Sequence, residues 1–277
     1  MDCSQFEQQI SLSSPPMASQ LPPLHLLTMA STSLYIPKEN PKRPLGEDSH
    51  FTLVQKGRST FGVADGVGGW AAKGIDAGKF ARELMINVTE VLELAPPTTS
   101  VNPKRVLEKA FKKTSSAGTS TACIVTHAAG TDTLKAVNVG DSGFYVIRGG
   151  KVVYRSPVQQ RRFNYPYQLG KDVGDGPSVA QELEVKVEKG DWVVAGTDGL
   201  LDNVDVAEIE EAVDETYAMG GGSHMAESLT LLLGNIALNN SYDRKKETPF
   251  SRAARLAGLN YSGGKIDDIT VVVAYIS

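Results

Sequence analysis

The stretch that most constrains the fold of this 277-residue chain is a strand-like apolar run that ends in one carboxylate and then in glycines. Residues 61–70 read Phe-Gly-Val-Ala-Asp-Gly-Val-Gly-Gly-Trp, and Phe61 and Val63 alternate with small residues before Asp65. Such alternation predicts a buried β-strand. Because glycine has no Cβ, the backbone after Asp65 can turn sharply and bring a carbonyl close to a ligand. The stretch therefore predicts either a binding site at the end of a strand or an ordinary Asp-Gly turn.

Four further acidic stretches occur in the same setting, each beside an apolar strand-like run. They are Gly46-Glu47-Asp48, Gly140-Asp141-Ser142-Gly143, Thr197-Asp198-Gly199-Leu200-Leu201-Asp202 and Asp267-Asp268. Carboxylates gathered at strand ends repel one another, and their repulsion costs stability unless cations neutralise them. Ligand sets made only of oxygen suit hard divalent cations such as Mg²⁺ and Mn²⁺. We therefore expect a site for such cations where the strand ends meet.

The order of the predicted elements favours an α+β fold. Helical spacing of apolar residues predicts helices over residues 76–94, 102–117, 205–219, 223–238 and 251–256. Apolar runs predict strands over residues 24–36, 49–55, 59–64, 120–126, 133–139, 143–148, 151–155, 185–187, 192–196 and 269–276. This order is typical of antiparallel sheets with helices packed on them. Residues 156–178 have little periodicity, and we expect them to form a functional flap.

A predicted hairpin connects two of the acidic stretches. The strands over residues 49–55 and 59–64 are separated by a short turn, so they are expected to pair with each other. Pairing would place Glu47 and Asp48 at the same end of the sheet as Asp65. The hairpin therefore predicts that three of the carboxylates converge.

Charge and cysteine content disfavour several classes of protein. The 28 basic and 32 acidic residues give a formal net charge of -4, and no basic run occurs, which disfavours nucleic-acid binding. The two cysteines, Cys3 and Cys123, cannot form a disulfide framework and fit a reducing, intracellular compartment. No run is long and apolar enough for a transmembrane helix, so we expect no membrane insertion. No His or Cys set has zinc-binding spacing, and the four histidines are scattered.

The chain is expected to comprise a leader, residues 1–23, and one domain, residues 24–277. The leader is rich in Ser, Pro and Gln and contains no Lys or Arg, which disfavours a mitochondrial presequence or a secretory signal. A disordered or weakly plastid-like leader remains open, so the cytoplasm and an organelle, plastid or mitochondrion, are not distinguished. The remaining length suits one large domain, and no linker interrupts it.

Taken in order, the acidic motifs resemble those of the metal-dependent PP2C (PPM) serine/threonine phosphatases. The motifs are Glu-Asp, Asp-Gly-x-Gly-Gly, Gly-Asp-Ser-Gly, Thr-Asp-Gly-Leu-x-Asp and Asp-Asp-Ile-Thr, between roughly residue 24 and the end of the chain. Residues 63–70, 159–164 and 263–268 resemble the PTC7 branch most closely. The resemblance implies a β-sandwich of two antiparallel sheets flanked by α-helices, and phosphoprotein substrates. We expect a monomer.

The resemblance implies a two-metal centre occupied by Mn²⁺ or Mg²⁺. Asp65 would bridge the two metal ions, with the Gly66 carbonyl on one of them and Asp198 and Asp267 on the other. In this family two metal ions activate a bridging hydroxide for in-line attack on phosphorus, so no protein nucleophile is needed.

Further roles follow from the same resemblance. Glu47 and Asp48 match positions that hold metal-bound waters. Arg43, five residues before Asp48, matches the arginine that holds the substrate phosphate, and a planar guanidinium suits that role. The looser third-metal site of the family is matched by Asp141, Asp198 and Asp202.

One position departs from the wider family pattern. Many PP2C enzymes have a histidine directly after the Asp-Gly pair as a candidate general acid, whereas this chain has Val67. The PTC7 branch also lacks that histidine, so we do not interpret Val67 as inactivation, and a metal-bound water is the hypothesis for the acid. The alternative function is a catalytically inactive relative that acts as a binding module. Such proteins usually lack a metal carboxylate, but Asp65, Asp198 and Asp267 are all present.

Two other hydrolase classes match the sequence poorly. Gly-Asp-Ser-Gly also occurs in the nucleophile loop of trypsin-like proteases, but here Phe144 follows, and neither disulfides nor His-Asp partners accompany it. A cysteine-based phosphatase needs an arginine six residues after its nucleophile, and the residue six after Cys123 is Ala129.

Overall fold

A computed structural model of the protein describes residues 26–41, 43–96, 100–220 and 224–277. The strands, in chain order, are β1 Met29–Ile36, β2 Asp48–Gln55, β3 Arg58–Asp65, β4 Thr119–Ser120, β5 Ala122–Ala128, β6 Thr133–Val139, β7 Gly143–Arg148, β8 Lys151–Arg155, β9 Gln160–Arg162, β10 Tyr165–Pro166, β11 Leu169–Gly170, β12 Gln181–Lys186, β13 Trp192–Gly196 and β14 Ile269–Ile276. The helices are α1 Ala77–Glu93, α2 Pro103–Lys113, α3 Asp198–Leu201, α4 Val206–Ala218, α5 Met225–Tyr242 and α6 Pro249–Leu256. Short 3-10 helices span Gly68–Lys73 and Pro177–Val179.

Two five-stranded antiparallel sheets pack face to face. The first sheet has the strand order β1-β14-β13-β7-β8, and the second has the order β12-β6-β5-β3-β2. One buried apolar cluster lies between them, with Phe61 and Val63 from the second sheet and Phe144 and Val272 from the first. On the outer faces, α1 and α2 cover the second sheet and α4 and α5 cover the first. The predicted α+β sandwich of two antiparallel sheets flanked by α-helices is confirmed.

Strand β14 shows why some strands of this fold lack alternation. Its sequence, Ile-Thr-Val-Val-Val-Ala-Tyr-Ile, is apolar at almost every position. Val272 belongs to the core between the sheets, whereas Val271 and Val273 belong to the core beneath the helices. Because successive side chains point to opposite faces and both faces are buried, an unbroken apolar run results.

Polar side chains set where the first two helices begin and end. Asp76 accepts a hydrogen bond from the Gly78 N–H at the start of α1, and Asn102 caps α2 in the same way. Both predicted helix starts are therefore confirmed. However, α2 ends at Lys113, four residues before the predicted end. The following N–H groups, of Ser115 and Ser116, donate instead to the Glu83 carboxylate of α1 at 2.9 and 2.7 Å.

Three other predicted segments differ from the structure. The strand predicted over 120–126 is divided at Thr121 into β4 and β5. The segment 156–178 contains a small hairpin of β9 and β10, with Asn164 at a φ of 50°, and β11 pairs with β4. Strand β12 is longer than the predicted 185–187 because it is an edge strand whose exposed face is polar, so its apolar signal is short.

The N-terminal predictions are only partly covered by the structure. The strand predicted over residues 24–36 begins at Met29, and residues 24–25 lie outside the described residues. The proposed leader, residues 1–23, also lies outside them. Within the described parts of the chain, no helix is both long and apolar enough to cross a membrane.

Candidate metal centre

The predicted carboxylates meet at one end of the sandwich, where strands of both sheets begin or finish. Asp48 is the first residue of β2 and Asp65 the last of β3, and the two are directly paired across the hairpin. Asp198 begins α3 just after β13, and Asp267 lies two residues before β14. The predicted convergence of the hairpin carboxylates is therefore confirmed. Asp198 and Asp267 flank strands of the first sheet.

The backbone around Asp65 is fixed by hydrogen bonds to Thr121, which lies between β4 and β5, and to Glu47, which directly precedes β2. The Asp65 N–H donates to the Thr121 hydroxyl at 3.0 Å, and the Thr121 N–H donates to the Asp65 carbonyl at 2.9 Å. The Gly66 N–H donates to the Glu47 carbonyl at 3.1 Å. A Cβ on Gly66 would lie 2.5 Å from the carbonyl oxygen of Ala77 and 2.6 Å from that of Glu47. Only glycine fits there, so the position after Asp65 is set by close backbone packing.

Asp48 connects the two sheets at this end of the sandwich. Its Oδ2 accepts hydrogen bonds from the hydroxyls of Thr197 and Thr270, both at 2.7 Å, and these residues belong to the first-sheet side. Its Oδ1 is buried and has no hydrogen-bond partner among the described residues. Burial raises the pKa of Asp48 well above its ordinary value, and the neighbouring Asp268 raises it further.

Two other carboxylates also have an oxygen without a donor. Asp141 Oδ1 and Asp198 Oδ1 are buried and lack hydrogen-bond partners within the described residues. Such a group costs about 1–3 kcal/mol relative to a satisfied one. The charges of Asp65 and Asp198 repel each other, and this repulsion is relieved when one carboxyl group is protonated or a cation lies between them.

Burial and mutual repulsion raise the pKa values of these carboxyl groups. Burial raises the pKa of Asp65 well above its ordinary value, and Asp198 adds to the shift. Burial and the charge of Asp198 raise the pKa of Asp141 to about 6. Burial raises the pKa of Asp202 to about 7, although the nearby Lys265 ammonium opposes the shift. Strongly shifted groups that cluster in this way are typical of functional sites.

Lys265, to which the sequence interpretation assigned no role at the site, lies among the carboxylates. Its ammonium contacts the Asp198 carboxylate and lies 3.1 Å from Asp202 Oδ2 and 3.2 Å from Asp267 Oδ2. The charges of these carboxylates raise the pKa of Lys265 well above its ordinary value, against the opposing effect of burial. The available signal was a lysine two residues before the acidic pair of the last motif.

Lys38 is a second ammonium group that sequence reasoning missed. Its Nζ lies 2.8 Å from Glu47 Oε2 and 2.9 Å from Asp267 Oδ1, so Asp267 lies between the two lysines. Burial alone would raise the pKa of Asp267, but the ammonium groups of Lys265 and Lys38 together lower it. The two lysines thus favour the ionised form of Asp267.

Arg43 lies at the edge of the centre, where it pairs with Glu47. Its Nη1 donates to Glu47 Oε1, and 21% of its side chain is exposed. The other N–H groups of its guanidinium have no hydrogen-bond partner among the described residues. A cavity of about 370 Å³ borders Arg43, Gly74 and Arg82. The guanidinium therefore has donors available for an anion at the site that the sequence interpretation assigned to it.

A second cavity, of about 360 Å³, opens beside the loop that follows Asp65. One wall comes from that loop and its 3-10 helix, through Trp70 and Lys73, and the other from the segment 156–178, through Arg161 and Tyr165. The indole N–H of Trp70 donates to the Thr119 hydroxyl at 2.8 Å, which anchors the first wall. The segment predicted to be a flap therefore forms a cleft with the loop after Asp65.

The donor chemistry fits a hard divalent cation. All candidate ligands are oxygens, and three of the buried carboxylate oxygens have no donor in the described part of the chain. As the side chains stand, however, no group of three or more His, Cys, Asp or Glu in the described residues could hold a metal ion. The Lys265 ammonium lies between the carboxylates that would have to close on a cation.

Comparison with known proteins decides the family. A family model described as Stage II sporulation protein E (SpoIIE) matches residues 55–277. The chain is 44% identical over 281 residues to Probable protein phosphatase 2C 55 of Arabidopsis thaliana, with 100% of this chain and 58% of that protein covered. The chain belongs to the protein phosphatase 2C family. It is also 39% identical to Protein phosphatase PTC7 homolog fig of Drosophila mojavensis, over 83% of this chain and 78% of that relative. The resemblance to the PTC7 branch of the family is confirmed.

Solved structures agree with this assignment. The photosystem II phosphatase PBCP superposes with a TM-score of 0.80 at 32% identity, covering 90% of this chain and 99% of that one. The catalytic domain of the serine threonine protein phosphatase PstP, solved with 2 manganese ions, shares the fold with a TM-score of 0.61 at 19% identity, over 90% of this chain and 99% of that one. This chain spans 58% and 60% of the length of two Arabidopsis thaliana relatives.

Proposed function

We propose that the protein is a Mn²⁺- or Mg²⁺-dependent phosphatase that hydrolyses phosphoserine and phosphothreonine in proteins. The observation that carries the proposal is the convergence of carboxylates from both sheets in a member of a protein phosphatase family, with buried oxygens that no described residue donates to. Oxygen atoms of this kind are the ligands that hard divalent cations prefer. The PstP structure, with its 2 manganese ions, supports the choice of cation.

The proposed ligands divide between two tight sites and one weaker site. Asp65, with the Gly66 carbonyl, Asp198 and Asp267, would hold two metal ions, and Asp141 and Asp202 would contribute to a third. When bound, the metal ions supply Lewis acidity that lowers the pKa of water and neutralises charge on the phosphate.

The chain's own residues bind and orient the substrate in this proposal. Arg43 would donate to two phosphate oxygens, and its contact with Glu47 orients the guanidinium before substrate arrives. Glu47 is itself fixed by the N–H of its backbone, which donates to Asp268 Oδ2 at 3.0 Å. Preorganisation of this kind reduces the free-energy cost of aligning the substrate.

Water is the proposed nucleophile, because the candidate side-chain nucleophiles Cys123 and Ser142 are both buried. Cys123 lies in the core between the sheets, and burial raises the pKa of its thiol to about 12. The hydroxyl of Ser142 is buried and lies 2.7 Å from the Thr121 hydroxyl, which argues against a protease-like role for Gly-Asp-Ser-Gly. Val67 has no titratable group, so water is also the proposed acid for the leaving oxygen.

The cleft beside the loop after Asp65 supports a polypeptide substrate. Its walls carry the aromatic rings of Trp70 and Tyr165 and the charged groups of Lys73 and Arg161. These side chains can contact the residues that flank a phosphoserine or phosphothreonine. The phosphate would then lie at the carboxylate end, near Arg43.

The test is release of phosphate from a phosphothreonine peptide by purified protein, with Mn²⁺ and then with EDTA. We expect activity that requires the metal and that Asp65→Asn lowers by two orders of magnitude or more, about the loss seen when a charge-stabilising group is removed. The matched control is Asp132→Asn, because Asp132 is exposed and lies at the opposite end of β5. Folded protein that binds Mn²⁺ but releases no phosphate would favour the inactive binding module instead.

A further inference from the structure

We infer that the Lys265 ammonium is an internal counter-ion that holds the carboxylate centre together without metal and that a divalent cation must displace in order to bind. This inference rests on the proposed metal dependence of the phosphatase. It concerns a residue that is not itself a metal ligand, because an ammonium group has only donors.

The ammonium of Lys265 makes three contacts with carboxylates. It touches Asp198 and lies 3.1 and 3.2 Å from Asp202 and Asp267, respectively. Only 14% of the side chain is exposed, and the Nζ lies 5.3 Å from the centre of the Phe250 ring. Asp198 and Asp267 are both proposed ligands of the same metal ion. The ammonium therefore occupies the space that a cation bound by those two carboxylates would take.

The backbone holds Lys265 in this position from both sides. The Lys265 N–H donates to Asn203 Oδ1 at 2.9 Å, and Asn203 Nδ2 donates to the Lys265 carbonyl at 2.8 Å. Asn203 is fully buried and also donates to the Gly199 carbonyl at 2.9 Å. This pair of hydrogen bonds fixes the lysine backbone to the helix that carries Asp198.

The residue before Lys265 is equally constrained. The Gly264 N–H donates to the Asp243 carbonyl at 2.8 Å, and a Cβ on Gly264 would lie 1.9 Å from the Asn240 carbonyl oxygen. The loop is thus packed against the C-terminal end of α5. The fixed loop keeps the Lys265 side chain among the carboxylates, whereas lysine side chains ordinarily extend into solvent.

Electrostatics explains both parts of the inference. Several buried carboxylates without a nearby positive charge would repel one another and destabilise the fold. The ammonium reduces that repulsion, but a divalent cation carries twice the charge and needs the same oxygens at a shorter distance, about 2.0–2.6 Å. The two positive groups therefore exclude each other. Bound metal would move the flexible lysine head away while the lysine backbone stays in place.

The test compares Lys265→Met with the wild-type protein in two measurements. Methionine keeps the length and apolar stem of the side chain and removes the charge. Without metal, we expect the melting temperature of the variant to fall by several degrees. In isothermal titration calorimetry, we expect the variant to bind Mn²⁺ about tenfold more tightly, since the cation no longer displaces an ammonium.

Two further variants separate charge from packing. Lys265→Arg keeps the positive charge, so its metal-free melting temperature should lie closer to that of the wild type than to that of Lys265→Met. Lys151→Met removes one exposed ion pair, with Glu210, and should change neither melting temperature nor Mn²⁺ affinity. If metal-free Lys265→Met is unfolded, Mn²⁺ is expected to refold it. A variant that stays unfolded in saturating Mn²⁺ would contradict the role.

The outcomes also distinguish this inference from the proposed function. Suppose that the wild type binds Mn²⁺ and is active, but Lys265→Met binds Mn²⁺ no more tightly than the wild type. This result overturns the counter-ion role and leaves the phosphatase proposal intact. Failure of the wild type to bind Mn²⁺ or to release phosphate overturns the proposed function. Failure to bind Mn²⁺ also removes the competition on which the inference depends.

Discussion

Asp65 is repelled both by its hairpin partner Asp48 and by Asp198, which follows β13 of the first sheet. Its position could be predicted from sequence, because the strand, the acid and the glycines are contiguous. The lysines could not, since Lys38 and Asp267 are 229 residues apart and meet only in the folded chain. Contiguous motifs specify local geometry, whereas ion pairs between distant segments depend on how the sheets pack.

Asp65→Asn should stabilise the metal-free protein and remove most of the rise in melting temperature that Mn²⁺ causes. The substitution deletes a charge that Asp198 and Asp48 repel, so the melting temperature in EDTA should rise by several degrees. Addition of Mn²⁺ should then produce little further shift. Thermal unfolding with and without Mn²⁺ checks both parts, with Asp132→Asn as the control. A variant that is less stable than wild type in EDTA would contradict the repulsion argument.

Arg43→Ala should weaken substrate binding more than it slows turnover. Loss of a bidentate guanidinium contact to phosphate is expected to raise KM for a phosphothreonine peptide about 10- to 100-fold, with a smaller change in kcat. Glu47 keeps its contact with Lys38 in this variant, so the fold should be unaffected. Arg43→Lys, which keeps the charge without the fork, should give an intermediate KM. An unchanged KM in the alanine variant would rule out the proposed phosphate contact.

Among the elements, the starts of α1 and α2 followed from sequence and the end of α2 did not. Asp76 and Asn102 cap helices through bonds within three residues, so their signals are local. The end of α2 depends instead on Glu83 of α1, which binds the N–H groups of Ser115 and Ser116. Because that contact spans two helices, no pattern within residues 102–117 could indicate it.

Glu83 allows a prediction about the pairing of α1 with α2. Burial alone would raise its pKa, but hydrogen bonds from Ser115 and Ser116 lower it to about 2, below the ordinary 4.5. The folded state therefore binds fewer protons than the unfolded state between these values, and the stabilisation is complete above about pH 5 and lost as the pH falls towards 2. Glu83→Gln should lower the free energy of unfolding at pH 7 by about 1–2 kcal/mol.

Urea unfolding at pH 7, 5 and 3 measures this contribution. The difference between wild type and Glu83→Gln should shrink towards pH 3, whereas Glu93→Gln, at an exposed position of the same helix, should have little effect at any pH. A difference that stays constant with pH would show that the ionised carboxylate is not what holds the two helices.

For the whole molecule, the metal-free protein should become more stable as the pH falls from about 7 to 5. Burial raises the pKa of Asp141 to about 6 and that of Asp202 to about 7, so the folded state binds more protons than the unfolded state above about pH 4. Their stabilising contribution is complete below the unfolded pKa of 3.8 and is lost as the pH rises through 6 and 7.

Urea unfolding in EDTA at pH 5.5 and 7.5 checks this trend, and Mn²⁺ provides the contrast. At 100 times its dissociation constant a bound ligand adds about 2.7 kcal/mol, so Mn²⁺ should stabilise the protein most at the higher pH, where the carboxylates are ionised. Asp202→Asn should reduce the pH dependence in EDTA. Equal stability of the wild-type protein at both pH values in EDTA would contradict the assignment.

The architecture of the whole molecule was largely predictable, because alternating or unbroken apolar strands and helices with apolar surfaces allow few arrangements. The short hairpin in residues 156–178 was not, since strands of two or three residues carry no periodicity. The position of the Lys265 ammonium among the carboxylates was not predictable either, because it depends on a side-chain contact rather than on a strand pattern.

The hydrogen bonds that the Thr197 and Thr270 hydroxyls donate to Asp48 join one sheet to the other at the carboxylate end. The proposed ligands also come from both sheets, with Asp65 on the second sheet and Asp198 beside the first. Sliding one sheet over the other would therefore change the distances among the ligands. Cation affinity thus depends on how the two sheets are aligned. A substitution in the core between the sheets can therefore change metal binding at a distance while every strand and helix stays intact.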